Sequence, residues 1–434
     1  MLGELLLYKG QRLEKQNMVW NMVGSFVYAF ASMVLSFLVM RVAGEDAGGV
    51  FAVGFSAVGQ QMFTLAYFGL RPFQSTDGGT AYGGYSFGEY LAHRRLTAGA
   101  AVFAAAFFAL WMTGRGAYGR EKGLAVFLLA LYKIVDGYAD VYGSEFQRQG
   151  SLYLTGKIDT FRTLLSVTVF FALLVGTGRL LPACAGAVSA QIAGVVLFDL
   201  PAAQALEKVD YGYRKGSIRA IFSQSGLLFL SVFLDFYIFS AAKYAIDSRL
   251  DDASSGYFNL LFMPTSVIYL VANFVIRPFL TQMTDCWNGR DRIGLKRILQ
   301  KLGGVILGLT ILAVAGCLLL GRPVLRLMEY LLGAGYEGSL TGYLPVFVLI
   351  VFGGGVYAFG NLLYYVLVVM RRQKAIFCVY GVTFIAALLL APLLVARFKL
   401  FGAAAAYSLF MAIQLAGFGV CVRSGFKKTD LIEV

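Results

Sequence analysis

Almost the whole chain is taken up by apolar runs that reach about 18–25 residues, long enough at 1.5 Å per helical residue to cross a hydrocarbon core. Short polar segments separate them. Composition closes off the soluble alternative. Of 434 residues, 59% are hydrophobic and 14% charged, with a mean hydropathy of +0.71. A soluble domain of this size could not cover such a core with so few polar side chains. The chain therefore reads as a polytopic, all-α integral membrane protein.

Twelve spans are expected, at about 18–40, 50–70, 96–113, 123–141, 161–175 and 182–206, then 221–242, 257–276, 302–320, 344–370, 375–396 and 402–422. Residues 1–17 mix Leu5, Leu6 and Leu7 with Lys9, Arg12, Glu14 and Lys15, which fits a short interfacial helix. They are too polar for a cleaved secretory signal, so the first span itself serves as the insertion signal.

The net charge of +13 raises the question of nucleic acid, and its distribution answers it. With the N-terminus cytoplasmic, 25 of the 37 lysines and arginines fall in inner segments, 11 in outer ones, and Lys133 lies within a span. This is the positive-inside bias. It places both termini in the cytoplasm and accounts for the charge without a nucleic-acid partner. The five cysteines are scattered with no CxxC spacing, which fits small buried residues and neither a disulfide framework nor a metal site. The single histidine, His93, falls in what reads as a basic cytoplasmic loop, with no ligand cluster around it.

One short stretch occurs twice. Gly69–Leu70–Arg71–Pro72–Phe73 closes the second apolar run, and Val275–Ile276–Arg277–Pro278–Phe279 closes the eighth, 206 residues on. At the same offset Glu45–Asp46–Ala47 meets Asp251–Asp252–Ala253, and the first and third runs land on later apolar runs. Arg-Pro at a cytoplasmic helix end is common, but several elements keeping one offset point to homologous halves. The boundary falls in the charged loop 207–220, giving an N-terminal six-helix bundle over 1–210 and a C-terminal one over 211–434. Six spans per half give both halves the same orientation, so the repeat is parallel, with its pseudo-two-fold axis along the membrane normal.

Polar residues inside the spans are the candidate functional groups, because a charge at mid-membrane costs several kcal/mol. Span 4 carries Lys133, Asp136 and Asp140 on one helical face. Either Lys133 and Asp136 form a self-neutralising pair, or the face is the polar wall of a water-filled cavity. Span 7 carries Asp235 with no basic residue three or four positions away. It is either a cation or proton site or the partner of a base on another helix, Lys133 being the obvious one. Pro264 in span 8 permits a bend, and Gly353–Gly354–Gly355 in span 10 permit close helix packing or flexing, packing being the commoner explanation. No metal spacing, nucleophile–base set or phosphate-cradling loop supports an enzyme, and no cofactor is implied.

The run Ser36–Phe37–Leu38–Val39–Met40–Arg41–Val42–Ala43–Gly44–Glu45–Asp46–Ala47–Gly48–Gly49–Val50–Phe51 resembles the first-to-second-span region of polysaccharide flippases. There, an apolar span ends in a basic residue and a small turn, before an acidic residue and a Gly-aromatic start. Phe68–Gly69–Leu70–Arg71 resembles that family's end of span 2. The family belongs to the multidrug/oligosaccharidyl-lipid/polysaccharide exporter (MOP) superfamily. The resemblance implies a MATE-like fold: two six-helix bundles around a cavity that opens alternately to each side of the cell (plasma or inner) membrane. It implies as cargo an undecaprenyl-diphosphate-linked oligosaccharide moved from the inner to the outer leaflet, by a monomer among membrane lipids.

A cationic cavity suits a diphosphate, and Arg71, Arg277, Lys133 and Arg162 are the residues expected to bind it. Asp235 and Asp136 are the expected sites for a coupling cation or proton. Arg71 and Arg277 have a plainer reading as positive-inside anchors. A cation-coupled drug exporter of the same fold is the alternative, since Asp235 and Asp136 would suit a cationic drug. A membrane-embedded polymerase or glycosyltransferase would usually show one long outer loop, and the outer loops here are short.

Overall fold

The computed structural model describes residues 2–8, 10–77, 79–80, 84–206 and 209–430, with the side chains of 2, 76, 266, 269, 270, 273, 277, 281 and 427–430 left aside. Every described element is helical, with no strand among the described residues. Among the described residues, nine helices are long and apolar enough to cross a membrane, by length and composition. The last of these is two helices that meet at Lys399 (φ 50°, ψ −132°) inside Gln373–Asp430. Arg120–Arg148 and Asp252–Ile276 have the length as well, the first made less apolar by its charges. The expected spans each fall on one of these helices. Large apolar side chains face outward along them, Phe103, Leu110, Leu319 and Val382 among them. Such a surface is solvated by lipid rather than water.

Two compact units make up the chain, Met1–Phe233 and Leu234–Val434. In the first, span 1 (Leu13–Ala43) packs closely along span 5 (Leu152–Thr177). Their backbones touch where two glycines meet: a Cβ on Gly156 would stand 2.0 Å from the Trp20 carbonyl oxygen, and one on Gly24 would stand 2.7 Å from the Gly156 carbonyl oxygen. Small residues at a membrane helix crossing allow this approach. Span 2 is a helix over Glu45–Val53 and Gly59–Tyr67, interrupted by a π turn at Gly54–Val58. Span 6 has the same device, Leu180–Gly194 and Leu200–Ala205 around a π turn at Val195–Asp199. A π turn adds a residue to the helix and rotates the side chains that follow it, and is frequent at functional sites.

In the second unit the three glycines of span 10 (Leu344–Val369) each admit a different neighbour. A Cβ on Gly353 would meet Ser408 Oγ at 2.6 Å, on Gly354 Ile268 Cδ1 at 2.9 Å, and on Gly355 Thr310 Cγ2 at 2.2 Å. Span 10 is thus approached by spans 12, 8 and 9 at three consecutive residues. The packing role expected for these glycines is the one found.

The repeated Arg-Pro-Phe stretch follows the end of a span in both units, with different local backbones. Phe68 (φ 56°) and Gly69 (φ 64°) are both left-handed and break span 2, after which Arg71–Thr76 forms a short helix with Pro72 in its first turn. A left-handed phenylalanine costs about 1–2 kcal/mol. Its ring lies 3.9 Å from that of Phe229 in a parallel stack, an interaction that offsets about 0.5–1.5 kcal/mol. Asp252–Ile276 instead runs directly into a 3₁₀ turn, Arg277–Phe279.

Two sequence expectations change. His93 is not in a loop: helix Phe87–Gly114 begins at the capping box of Ser86 and Glu89, which brings His93 inside span 3. It is fully buried against the rings of Phe68 and Phe222. Cys184 and Cys317 are buried as expected, whereas Cys378 is exposed.

Candidate functional site

Span 4, Arg120–Arg148, is the polar helix of the first unit. Lys133, Asp136 and Asp140 follow one another at intervals of one turn, and each meets a different partner. Lys133 is buried. Its Nζ donates to the Tyr28 hydroxyl at 2.6 Å and lies 3.8 Å from the centre of the Phe55 ring, which the π turn of span 2 presents to it. The Tyr28 ring centre is 5.0 Å away. No carboxylate of a described residue lies within ion-pair distance of this ammonium. It is held by a hydroxyl and by aromatic faces, whose quadrupoles attract a cation.

Asp136 does not pair with Lys133. It accepts from Arg162 Nη2 at 2.9 Å and from Gln191 Nε2 at 3.4 Å. Arg162, on span 5, is only 4% exposed and holds two further carboxylates: Nη2 donates to Asp159 at 2.8 Å and Nη1 to Asp199 at 2.9 Å. Asp199 is the last residue of the π turn in span 6. One guanidinium thus gathers acids from spans 4, 5 and 6. Its planar fork can donate to several oxygens at once, which an ammonium cannot match. Gln191 Oε1, buried beside this group, has no donor.

One turn further along span 4, Asp140 is shared by two arginines. Its Oδ1 accepts from Arg71 Nη1 at 2.8 Å, and its Oδ2 faces Arg94 Nη2 at 3.5 Å and the Ser144 hydroxyl at 3.2 Å. Arg71 also donates from Nε to Gln147 at 3.1 Å. Arg94 is fully buried, donates to the Ala66 carbonyl at 3.1 Å, and keeps an unpartnered Nε. Across span 4 and its neighbours Lys133, Arg71, Arg94 and Arg162 are matched in number by Asp136, Asp140, Asp159 and Asp199, so the network is neutral as a whole. Its charge is unevenly spread: two arginines to one acid around Asp140, three acids to one arginine around Arg162.

The structure therefore links Lys133, Asp136, Arg162 and Arg71 along one polar helix. Arg94, Asp159 and Asp199 were not singled out from the sequence. Arg94 falls before the expected span 96–113. Asp159 lies three residues before Arg162, a spacing that marks an ion pair once a helix is known to begin at Leu152. Asp199 was the clearest available signal, an isolated acid inside an apolar run. In the second unit, Asp235 on span 7 accepts from Gln414 Nε2 at 3.5 Å and from Tyr380. The Arg277 side chain lies outside the described residues.

No protein-family model and no curated protein matches this sequence. Solved structures do. A multidrug resistance MATE family transporter of the MOP superfamily, in an inward-facing conformation, covers 100% of this chain with 98% of its own, at 12% identity and a TM-score of 0.68. The lipid II flippase MurJ, inward closed, covers 95% of this chain with 90% of its own, at 13% identity and a TM-score of 0.68. A MOP superfamily transporter from Pyrococcus furiosus Vc1, described by the reverse polarity of its binding pocket, covers 100% with 98% of its own, at 13% identity and a TM-score of 0.56. At these identities the likeness defines the fold. The chain has the MATE-like fold of MOP superfamily transporters over its whole length and is a multi-pass membrane protein.

Proposed function

We propose that this protein is a flippase that carries an undecaprenyl-diphosphate-linked oligosaccharide from the inner to the outer leaflet by alternating access, for cell-surface polysaccharide synthesis. It would act as a monomer in the cell membrane, with both termini cytoplasmic. The observation that carries the reading is Lys133, a buried ammonium in a span with no carboxylate in contact among the described residues. A buried ammonium at membrane depth that a hydroxyl and ring faces contact, with no carboxylate touching it, favours an anionic headgroup and opposes a cationic drug. The fold likeness to a lipid II flippase fits a lipid-borne cargo.

The second reading, a cation-coupled multidrug exporter, draws on Asp235, whose named partners Gln414 and Tyr380 are both uncharged, and on the fold likeness to MATE transporters. Reconstitution separates the two. The full chain in liposomes is given a fluorescent polyprenyl-diphosphate oligosaccharide in one arm and ethidium in the other. Lipid flipping that is lost in Lys133→Met is expected, and flipping should also weaken in Arg71→Lys and Arg277→Lys, which keep charge and lose the bidentate fork. Ethidium transport without lipid flipping would replace the flippase reading with the exporter one.

A further inference from the structure

Asp140 has a role that a plain structural ion pair would not need. Its two oxygens are divided between two arginines of very different exposure: Oδ1 meets Arg71, whose side chain is 28% exposed, and Oδ2 meets Arg94, which is 0% exposed. The buried side has two contacts, Arg94 Nη2 at 3.5 Å and the Ser144 hydroxyl at 3.2 Å, whose shorter bond of 2.8 Å goes to the Asp140 carbonyl, and Arg94 is itself anchored on the Ala66 carbonyl. The exposed side is held by the Arg71 contact alone. Two guanidiniums to one carboxylate leave an excess of positive charge here, and the unpartnered Arg94 Nε is a buried donor with no acceptor. Asp159 and Tyr67 also lie in the field of Arg71, but Asp159 is committed to Arg162 at 2.8 Å.

Resting on the flippase reading, we propose that Asp140 is a resident counter-anion: it occupies Arg71 in the empty transporter and yields that arginine to the incoming diphosphate while staying on Arg94 and Ser144. The diphosphate brings its own negative charge, and the positive excess of two guanidiniums over one carboxylate offsets part of it. A diphosphate oxygen takes the place of Oδ1 on Arg71 Nη1, and Oδ2 keeps its partners. Release of the cargo is assisted by the return of Asp140, so the same carboxylate that weakens binding limits how long the headgroup stays. A ligand that displaces an internal ion pair binds more weakly by the strength of that pair. For a partly exposed pair this is about two- to fivefold in Kd.

The test is binding of inorganic pyrophosphate, and separately of farnesyl diphosphate, to the purified full chain in detergent by titration calorimetry. Asp140→Asn is expected to tighten both by about two- to fivefold, and Arg71→Gln to abolish binding. Tightening must act through Arg71, so Asp140→Asn added to Arg71→Gln should restore nothing; a gain in that background would show a general field effect and overturn the proposal. Should Asp140→Asn fold poorly because Arg94 is stranded, Arg94→Met with Asp140→Asn removes both buried charges and still frees Arg71. Unchanged or weaker binding in that variant also overturns it. A response to farnesyl diphosphate alone assigns the exchange to a lipid-borne headgroup, and a response to both assigns it to the diphosphate itself; no binding in any protein refutes it. If diphosphates bind and exchange as stated while the lipid oligosaccharide is not flipped, the cargo assignment fails and the exchange stands.

Discussion

Replacing Arg162 by methionine should be the most damaging single change in the first unit. Methionine keeps much of the stem that packs against Gly194, whose Cβ would come within 2.7 Å of Arg162 Cγ, and removes only the fork. The fork is 4% exposed and holds Asp199, Asp136 and Asp159 at 2.8–2.9 Å, the first two themselves 3% and 13% exposed. Removing one partner of a buried pair costs about 3–5 kcal/mol. Here more than one acid loses the same donor, so the loss should reach that range. For a unit of this size each kcal/mol moves the midpoint by about 2–4 °C, so thermal unfolding of the detergent-purified protein should fall by about 10 °C. The acids should not be equal. Asp159 is 38% exposed and is the third carboxylate on one guanidinium, so Asp159→Asn relieves repulsion as it removes attraction and should stay within about 1 kcal/mol. Asp199→Asn should cost more. A fall of under about 2 °C in Arg162→Met, or equal losses in the two asparagine variants, would refute an Arg162-centred cluster.

Gly156→Ala places a methyl 2.0 Å from the Trp20 carbonyl oxygen, and backbone cannot step aside, so spans 1 and 5 must part at about 1–3 kcal/mol; Gly99→Ala, with nothing within 4 Å, should be neutral in the same melting assay. Equal midpoints for the two variants would remove the crossing from the account. Asp235→Asn should fold normally and lose the dependence of transport on a proton or sodium gradient in liposomes. Gradient dependence that survives the change would leave Asp235 a structural residue.

Much of the fold was legible because membrane insertion reads local, additive quantities. Each apolar run is long enough by itself, and a change of neighbour does not alter its hydropathy. The polar face of span 4 was legible for the same reason, since Lys133, Asp136 and Asp140 share a side of any helix that contains them. The helix ends were less so. His93 and Arg94 read as loop residues because they sit in a charged stretch. The Ser86–Glu89 capping box starts the helix before them, and Arg214 then clasps Glu89 from the charged segment after span 6, with Nε to Oε1 at 2.9 Å.

Partner choice was the part that sequence could not decide. On span 4 the nearest opposite charge to Lys133 along the chain is Asp136, three residues on. In the folded unit Asp136 faces Arg162 from span 5, and Lys133 turns to Tyr28 and Phe55 from spans 1 and 2. A buried ion needs several donors or acceptors around it, and one neighbour on the same helix supplies too few. The rest come from other helices, at angles set by the Gly24–Gly156 crossing and by the two π turns. Hydropathy and charge bias, read residue by residue, determined that the chain crosses the membrane repeatedly and where. Which charges meet depended on side-chain geometry between helices far apart in the chain, and only the packed structure contains it.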